Sequence, residues 1–236
     1  MNICYGDTME KLWYLKRINI FGGLSESEMH WIDKISEMRE FSKKQPIYLP
    51  GETSDKIYLL KSGKVKIKDL SEDGKEFIWD ILDSGEIFGE TTLFGVQSPN
   101  TMAEALEDVQ ICVLNREDFE ELLKRNPEFS LRVTKLIGLR RKELQSRISD
   151  LIFRDVHTRL AHLILDLSNK YGREHKRGTL IKVKLTHYDI ASLIGSTRET
   201  TTVCLNDLKR EGLIDILGKR ILILDMPALK KRAQIS

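Results

Sequence analysis

The sequence has 236 residues, of which 41% are hydrophobic and 31% are charged. Its mean hydropathy of −0.31 is ordinary for a globular protein and argues against wholesale disorder. No run approaches the roughly 18 uncharged apolar residues of a transmembrane helix, so we expect no membrane partner, and the length favours two domains.

The charges are divided unevenly along the chain. The 38 Lys and Arg against 36 Asp and Glu leave a net charge of only +2. Residues 153–236, however, hold 16 basic and 9 acidic side chains, a net charge of +7, which leaves −5 for residues 1–152. A basic half next to an acidic half points to nucleic acid or another polyanion, with a chance imbalance as the alternative.

The cysteines and the N-terminus indicate a cytoplasmic protein. Cys4, Cys112 and Cys204 are odd in number and widely spaced, which excludes a disulfide framework and a CxxC metal site. The first ten residues contain no basic cluster followed by an apolar run, so we expect no secretory signal.

The first predicted element is a helix within residues 9–41. The run LSESE at residues 24–28 is typical of a helix start, because Ser25 can cap the first turn and Glu28 follows three residues later. Apolar residues then recur at helical spacing up to Met38.

Residues 45–114 change to a period of two, which predicts strands. Glycine-containing turns separate the apolar runs: KSGK at residues 61–64, SEDGK at residues 71–75 and DSGE at residues 83–86. Short strands at regular spacing predict an antiparallel sandwich or barrel.

A short helix over residues 115–124 and a long helix from Pro127 to about Phe153 follow. The long helix has a narrow apolar seam, and at about 39 Å it is longer than one small domain needs. We favour a dimerisation helix over a helix packed on its own barrel. The predicted dimerisation residues are Val133, Leu136, Ile137, Leu144, Ile148 and Leu151.

The last third predicts a helix-turn-helix. It begins with a helix over residues 156–171, a basic loop over residues 173–178 and a strand over residues 180–185; two helices and a β-hairpin with Gly218 at its turn follow. Thr186 and Thr197 stand where the two helices need caps, and Gly195 stands at the turn between them. An ordinary pair of packed helices is the alternative.

The second of these helices would enter a major groove with its first turns. Arg198 can bind guanine, and Glu199 can accept a hydrogen bond from cytosine. Thr186, His187 and Thr197 are phosphate candidates, as are the basic side chains of the hairpin. The predicted DNA contacts are Thr186, His187, Thr197, Arg198, Glu199, Thr201, Thr202, Lys219 and Arg220.

Two runs resemble the Crp/Fnr family of bacterial transcription regulators. FRDVHTRLA at residues 153–161 is similar to the family's hinge and first DNA-domain helix, and TRET at residues 197–200 to its recognition-helix signature. The resemblance covers about residues 15–230.

The resemblance implies an α+β fold in three parts. Residues 1–126 would form a cyclic-nucleotide-binding-type β-barrel (a double-stranded β-helix or jelly roll) with flanking helices, residues 127–153 a dimerisation helix, and residues 154–236 a winged helix-turn-helix. It further implies a homodimer that binds an inverted-repeat operator in double-stranded DNA, with RNA polymerase as a partner.

The segment after FGE at residues 88–90 resembles the phosphate-binding cassette of cyclic-nucleotide domains. The resemblance implies an effector pocket formed by Gly89, Glu90, Asn100, Thr101, Leu144 and Gln145. The family's phosphate-clamping Arg is replaced by Asn100, and its adenine-facing Thr-Ser pair by Leu144 and Gln145. A neutral amide cannot supply a charge-assisted clamp, so these departures argue against ordinary cyclic-AMP binding.

The effector therefore stays unknown at this point. A small ligand other than cyclic AMP, a cyclic nucleotide held without the Arg, and a state that needs no effector are all open. The cysteine spacing argues against an iron–sulfur cluster, and residues 89–94 contain no Cys or His for a haem.

No enzyme is expected, because no Ser-His-Asp, paired-carboxylate or metal-ligand spacing is present. The alternative function is a ligand-sensing domain whose C-terminal domain binds a protein instead of DNA.

Overall fold

A computed structural model describes residue 20 and residues 24–52, 55–94 and 100–234. The chain divides into two compact units, residues 1–142 and residues 143–236. The predicted division set the long helix apart as a segment of its own, whereas the division between the units falls inside that helix.

The first unit begins with α1 (Glu26–Ile35), which starts at the predicted capping box. The Ser25 hydroxyl accepts from the Glu28 N–H, and the Glu28 carboxylate accepts from the Ser25 N–H at 2.7 Å. The predicted continuation of this helix to residue 41 is wrong, because Glu37–Phe41 is a strand paired along its length with a later one. The predicted helix before residue 20 and Cys4 lie outside the described residues.

Eight strands in the described part of this unit form two four-stranded antiparallel sheets. The strands are β1 (Glu37–Phe41), β2 (Pro46–Tyr48), β3 (Lys56–Ser62), β4 (Val65–Leu70), β5 (Glu76–Leu82), β6 (Ile87–Phe88), β7 (Thr101–Ala105) and β8 (Val109–Asn115). The orders β1-β8-β3-β6 and β2-β7-β4-β5 are those of a jelly roll. The sheets are not closed, so the predicted sandwich describes them better than the predicted barrel.

The two sheets of the jelly roll enclose one core, and helices cover a second. Val65, Ala103 and Ile111 lie in the first core, as the alternation along their strands predicts. The helices are α2 (Arg116–Arg125) and α3 (Pro127–Phe153), which bring Phe119 and Phe129 against the other face of the β1-β8-β3-β6 sheet.

The predicted dimerisation seam of α3 falls into two parts. Val133 and Leu136 are buried in the helix-covered core and Ile137 packs against it, because this stretch of the helix lies on its own domain. These three side chains are corrected from seam to core. In contrast, Leu144, Ile148 and Leu151 are 38%, 46% and 37% exposed.

The second unit continues with α4 (Val156–Tyr171), whose N-cap is Asp155. A backbone hydrogen bond from Thr158 to this carboxylate holds the pKa of Asp155 below its usual value. The unit then contains β9 (Gly172–His175), β10 (Gly178–Ile181), α5 (His187–Ile194), α6 (Arg198–Arg210), β11 (Ile214–Leu217), β12 (Arg220–Ile223) and α7 (Met226–Arg232). Its sheet has the order β11-β12-β10-β9.

Two predictions for this unit were wrong in detail. The first half of the predicted basic loop, residues 173–175, belongs to strand β9, which pairs with β10 from Gly172 to His175. The predicted strand to residue 185 ends at Ile181, after which the Leu185 N–H donates to the Lys219 carbonyl and the chain turns into α5.

None of the helices within the described ranges combines the length and hydrophobicity that a bilayer-spanning helix requires.

Candidate nucleic-acid interface and effector pocket

Side-chain caps set the starts of both helices of the helix-turn-helix. Thr186 accepts from the Asp189 N–H, and its own hydroxyl donates to the Asp189 carboxylate at 2.6 Å. Gly195 ends α5 in the left-handed region, at φ 59°, where a residue with a Cβ is strained. Thr197 then caps α6 by accepting from the Thr200 N–H. The two threonines therefore position the helices, whatever else they contact.

Arg159, which was not predicted as a site residue, braces the turn between these helices. Its Nε donates to the Ile194 carbonyl at 2.9 Å and its Nη2 to the Gly195 carbonyl at 3.4 Å. Its Nη1 donates to the Arg154 carbonyl at 2.9 Å, just before α4. No spacing rule predicts contacts to carbonyls 35 residues away; the only signal was its place in the FRDVHTRLA run.

The predicted base-reading pair lies on the exposed side of α6. Arg198 and Glu199 are both exposed in the first turn of the helix. Neither side chain forms a hydrogen bond or an ion pair with any residue in the described ranges. Both are therefore free to bind a ligand that approaches this side of the helix.

The opposite side of α6 is core, and it includes one predicted DNA contact. Thr201, Cys204, Leu205 and Leu208 recur at three- and four-residue steps and are at most 1% exposed. The prediction that Thr201 contacts DNA is wrong, because its side chain points into the domain. Its hydroxyl has no hydrogen-bond partner among the described residues. Burial also raises the pKa of the Cys204 thiol, which stays a neutral core side chain.

Thr202 and His187 join the two helices to one another. The Thr202 hydroxyl donates to the Arg198 carbonyl at 2.8 Å, so its oxygen is left to accept from His187 Nδ1, also at 2.8 Å. This assigns the proton of the imidazole to Nδ1. The polar group of Thr202 is thus engaged within the domain.

The hairpin of β11 and β12 presents the two predicted basic side chains. Lys219 is exposed, and together with Gly218 it forms the two-residue turn of the hairpin. Gly218 has φ 66°. Arg220 is half-buried and donates through Nε to the Lys182 carbonyl at 3.2 Å. The exposed ammonium group of Lys219 is the freer of the two charges.

In the first unit, Glu90 of the predicted effector pocket is held by an arginine that no sequence motif indicated. Arg140 of α3 donates through Nη1 to Glu90 Oε1 at 2.5 Å and through Nη2 to the Ile87 carbonyl at 2.6 Å. The two side chains are only 20% and 15% exposed. Burial opposes the charge of the guanidinium, but Glu90 and neighbouring carboxylates keep the pKa of Arg140 above its usual value.

Arg140 keeps one donor unused. Its Nε is buried and has no hydrogen-bond partner within the described part of the chain. A buried guanidinium N–H without an acceptor is unfavourable, so one further hydrogen-bond acceptor at this nitrogen would stabilise the site.

The other cassette residues are placed as follows. Gly89 has φ 84°, and a Cβ there would stand 2.6 Å from the Lys56 carbonyl oxygen, so this turn requires glycine. The Thr101 hydroxyl donates to Asp69 at 2.6 Å, and Asn100 is exposed. Residues 95–99 of the predicted cassette lie outside the described ranges.

Leu144 and Gln145 are exposed on the part of α3 that belongs to the second unit.

An aromatic cluster lies close to this pocket and was not predicted. The rings of Tyr58 and Phe88 stack with centroids 4.8 Å apart, and Tyr48 lies 5.8 Å from Tyr58. Burial, with Glu90 nearby, raises the pKa of Tyr48, so its hydroxyl stays protonated. Among the residues that the structure describes, no three His, Cys, Asp or Glu side chains come together as a metal site.

Each of the two units matches a known family of domains. Residues 38–126 match the cyclic nucleotide-binding domain, and residues 158–232 match the Crp-like helix-turn-helix domain. A CRP-like cAMP-activated global transcriptional regulator of Mycobacterium tuberculosis is 30% identical over 220 residues, which cover 93% of this chain and 98% of the relative. An anaerobic regulatory protein of Bacillus subtilis is 33% identical over 195 residues, covering 81% of this chain and 82% of the relative.

Two solved structures are similar to this chain over most of its length. A CooA mutant from Carboxydothermus hydrogenoformans superposes with a TM-score of 0.77 at 28% identity, covering 92% of this chain and 94% of that one. A CRP/FNR-family transcriptional regulator from Thermus thermophilus gives a TM-score of 0.69 at 30% identity, with coverages of 84% and 98%.

Replacing the unsatisfied hydroxyl of Thr201 should stabilise the helix-turn-helix. Thr201→Val keeps the shape and removes a buried polar group, so we expect the free energy of unfolding to rise by about 1 kcal/mol. Hydrogen exchange of the α6 amides and urea unfolding measure it. Thr201→Ser, which keeps the hydroxyl and loses a methyl group, should destabilise by a similar amount. A loss of stability in Thr201→Val would mean that the hydroxyl has a partner.

Breaking the pair of Glu90 and Arg140 should destabilise the first unit. Glu90→Gln leaves a largely buried guanidinium without its counter-charge, at a cost of about 3 kcal/mol in the free energy of unfolding. The double variant Glu90→Gln/Arg140→Met should recover most of this loss, because it also removes the unpaired guanidinium charge of Arg140. Urea unfolding of the three proteins tests both statements. Equal stability of Glu90→Gln and the unchanged protein would contradict them.

Proposed function

The chain belongs to the Crp/Fnr family of transcription regulators, and from this premise we propose that it acts as a homodimer that binds an inverted-repeat operator through α6. Its relatives are transcription regulators and not enzymes. One observation carries the proposal: Arg198 and Glu199 stand exposed and unpaired, among the described residues, at the start of a helix whose other side is core.

Each of these side chains has a matching group in the major groove. The guanidinium of Arg198 can donate two parallel hydrogen bonds to guanine O6 and N7, and Glu199 can accept from cytosine N4. Phosphates would then be held by the basic hairpin, foremost by Lys219, and by the backbone N–H groups at the starts of the helices that Thr186 and Thr197 cap. The hydroxyl protons of these two threonines are already donated, to Asp189 and to Thr200. His187 and Arg220 are already engaged within the domain and would contribute as neighbours of these contacts.

The end of α3 supports a dimer. Leu144, Ile148 and Leu151 lie on one stripe, followed by Ile152 and Phe153, which are 66% and 79% exposed. Large apolar side chains at four- and three-residue steps fit a helix seam between two copies. Two copies related by a two-fold axis would present two α6 helices to half-sites about one DNA turn apart, hence the inverted repeat. RNA polymerase would meet the dimer at the operator.

The effector pocket would not hold cyclic AMP in the family's usual way. Asn100 is exposed and uncharged, and the cation of the pocket is Arg140, which already neutralises Glu90. A phosphate would have to compete with Glu90 for this guanidinium. We therefore expect either a different small ligand, one that accepts a hydrogen bond from Arg140 Nε, or operator binding that needs no effector.

Glu199→Ala should relax sequence preference at one base pair in each half-site. The lost contact corresponds to about 1–3 kcal/mol of discrimination at that position. The measurement is the affinity for single-base variants of an operator that the full-length protein selects from a random duplex library. Uniform weakening on all variants would remove Glu199 from base readout.

Lys219→Ala is the matched control for a phosphate contact. It should weaken all sequences alike and lower the slope of log affinity against log salt by about one per protomer. Duplex binding that is independent of salt and sequence would favour the alternative in which the second unit binds a protein.

Adding cyclic AMP to the purified protein tests the pocket. The affinity for the selected operator should stay within about twofold between zero and millimolar nucleotide, since the charge-assisted clamp is missing. Isothermal titration without DNA gives the binding itself. A tenfold tightening of operator binding would contradict the departure that we propose.

A further inference from the structure

Val203 is exposed in the middle of α6 although it is apolar. It exposes 57% of its surface, whereas Cys204 and Leu205, the next two residues, are at most 1% exposed. The helix therefore buries its apolar side chains elsewhere and leaves this one in water. A β-branched side chain is also a weaker helix former than Lys or Arg, so neither folding nor solubility explains it.

The position of Val203 places it beside the predicted base-reading residues. It follows Glu199 by four residues, so the two side chains lie on the same side of the helix with Cβ atoms about 6 Å apart. The exposed side chains around it are polar or charged: Arg198, Glu199, Thr200 and Asn206.

The major groove offers one prominent apolar group, the 5-methyl group of thymine. Val203 has no donor or acceptor in its side chain, so it can distinguish bases only by such a contact. We propose that Val203 reads a thymine by packing against its 5-methyl group. Base pairs stack at about 3.4 Å, so this thymine lies one or two base pairs from the one that Glu199 reads. The inference rests on the proposed operator binding.

The test removes the methyl group and leaves base pairing unchanged. The probe is the duplex that the full-length protein selects from a random library, with its thymines replaced one at a time by deoxyuridine. At one position in each half-site, the replacement should weaken binding by about fourfold, the effect of one buried methyl group. A cytosine there should bind more weakly than 5-methylcytosine by the same factor.

Three variants assign the effect to the side chain. Val203→Ala should bind the thymine and uracil duplexes with equal affinity. Because the Val203 side chain is exposed, the substitution should leave the fold intact, and circular dichroism verifies this. Thr200 and Thr202 also carry methyl groups on the exposed part of α6. Thr200→Ser and Thr202→Ser should each keep the full uracil penalty.

The outcomes separate this inference from the proposed function. If no position responds to uracil, or if Val203→Ala responds as strongly as the unchanged protein, the reading by Val203 is overturned while operator binding stands. If the library yields no preferred sequence, both fall together.

Discussion

The structure of the second unit depends on the two-sided character of α6. One side must be buried to hold the helix in place, and Leu205 and Leu208 do this with no exposed surface. The other side must stay unpaired to bind a ligand, as Arg198 and Glu199 are among the described residues. Because the buried and the exposed residues lie on opposite sides, the helix can be rigid without using Arg198 and Glu199 for stability. The caps at Thr186 and Thr197 and the brace from Arg159 then fix where the free side points.

Local sequence signals predicted this arrangement well, since caps and helix turns are set by residues close in the chain. The capping box of α1, the bounds of α3 and α4, and the turn at Gly195 all follow from such short-range rules. The first strand was missed because pairing of Glu37–Phe41 with β8 involves residues more than 65 positions later. Thr201 was misassigned for a related reason: a polar residue next to polar neighbours gives no sign of facing the core.

The effector pocket also contains a contact between residues far apart in the chain, which short-range sequence rules do not predict. Glu90 and Arg140 are 50 residues apart, and no motif links them. In the sequence, Asn100 replaces the expected arginine, so ordinary binding of cyclic AMP was not predicted. The structure instead supplies a guanidinium from α3, and the net charge at the pair is close to zero. An anion that binds this guanidinium would therefore have to compete with Glu90.

Arg140 also ties the pocket to the helix that carries the exposed apolar stripe. It stands on α3 one turn before Leu144, where that stripe begins. A ligand that accepted from the unused Nε, or that drew the guanidinium away from Glu90, would change the contacts of α3 directly. Since a ligand shifts a conformational equilibrium only by its different affinity for the two states, a side chain fixed to both the pocket and this helix is the group through which such a difference can act.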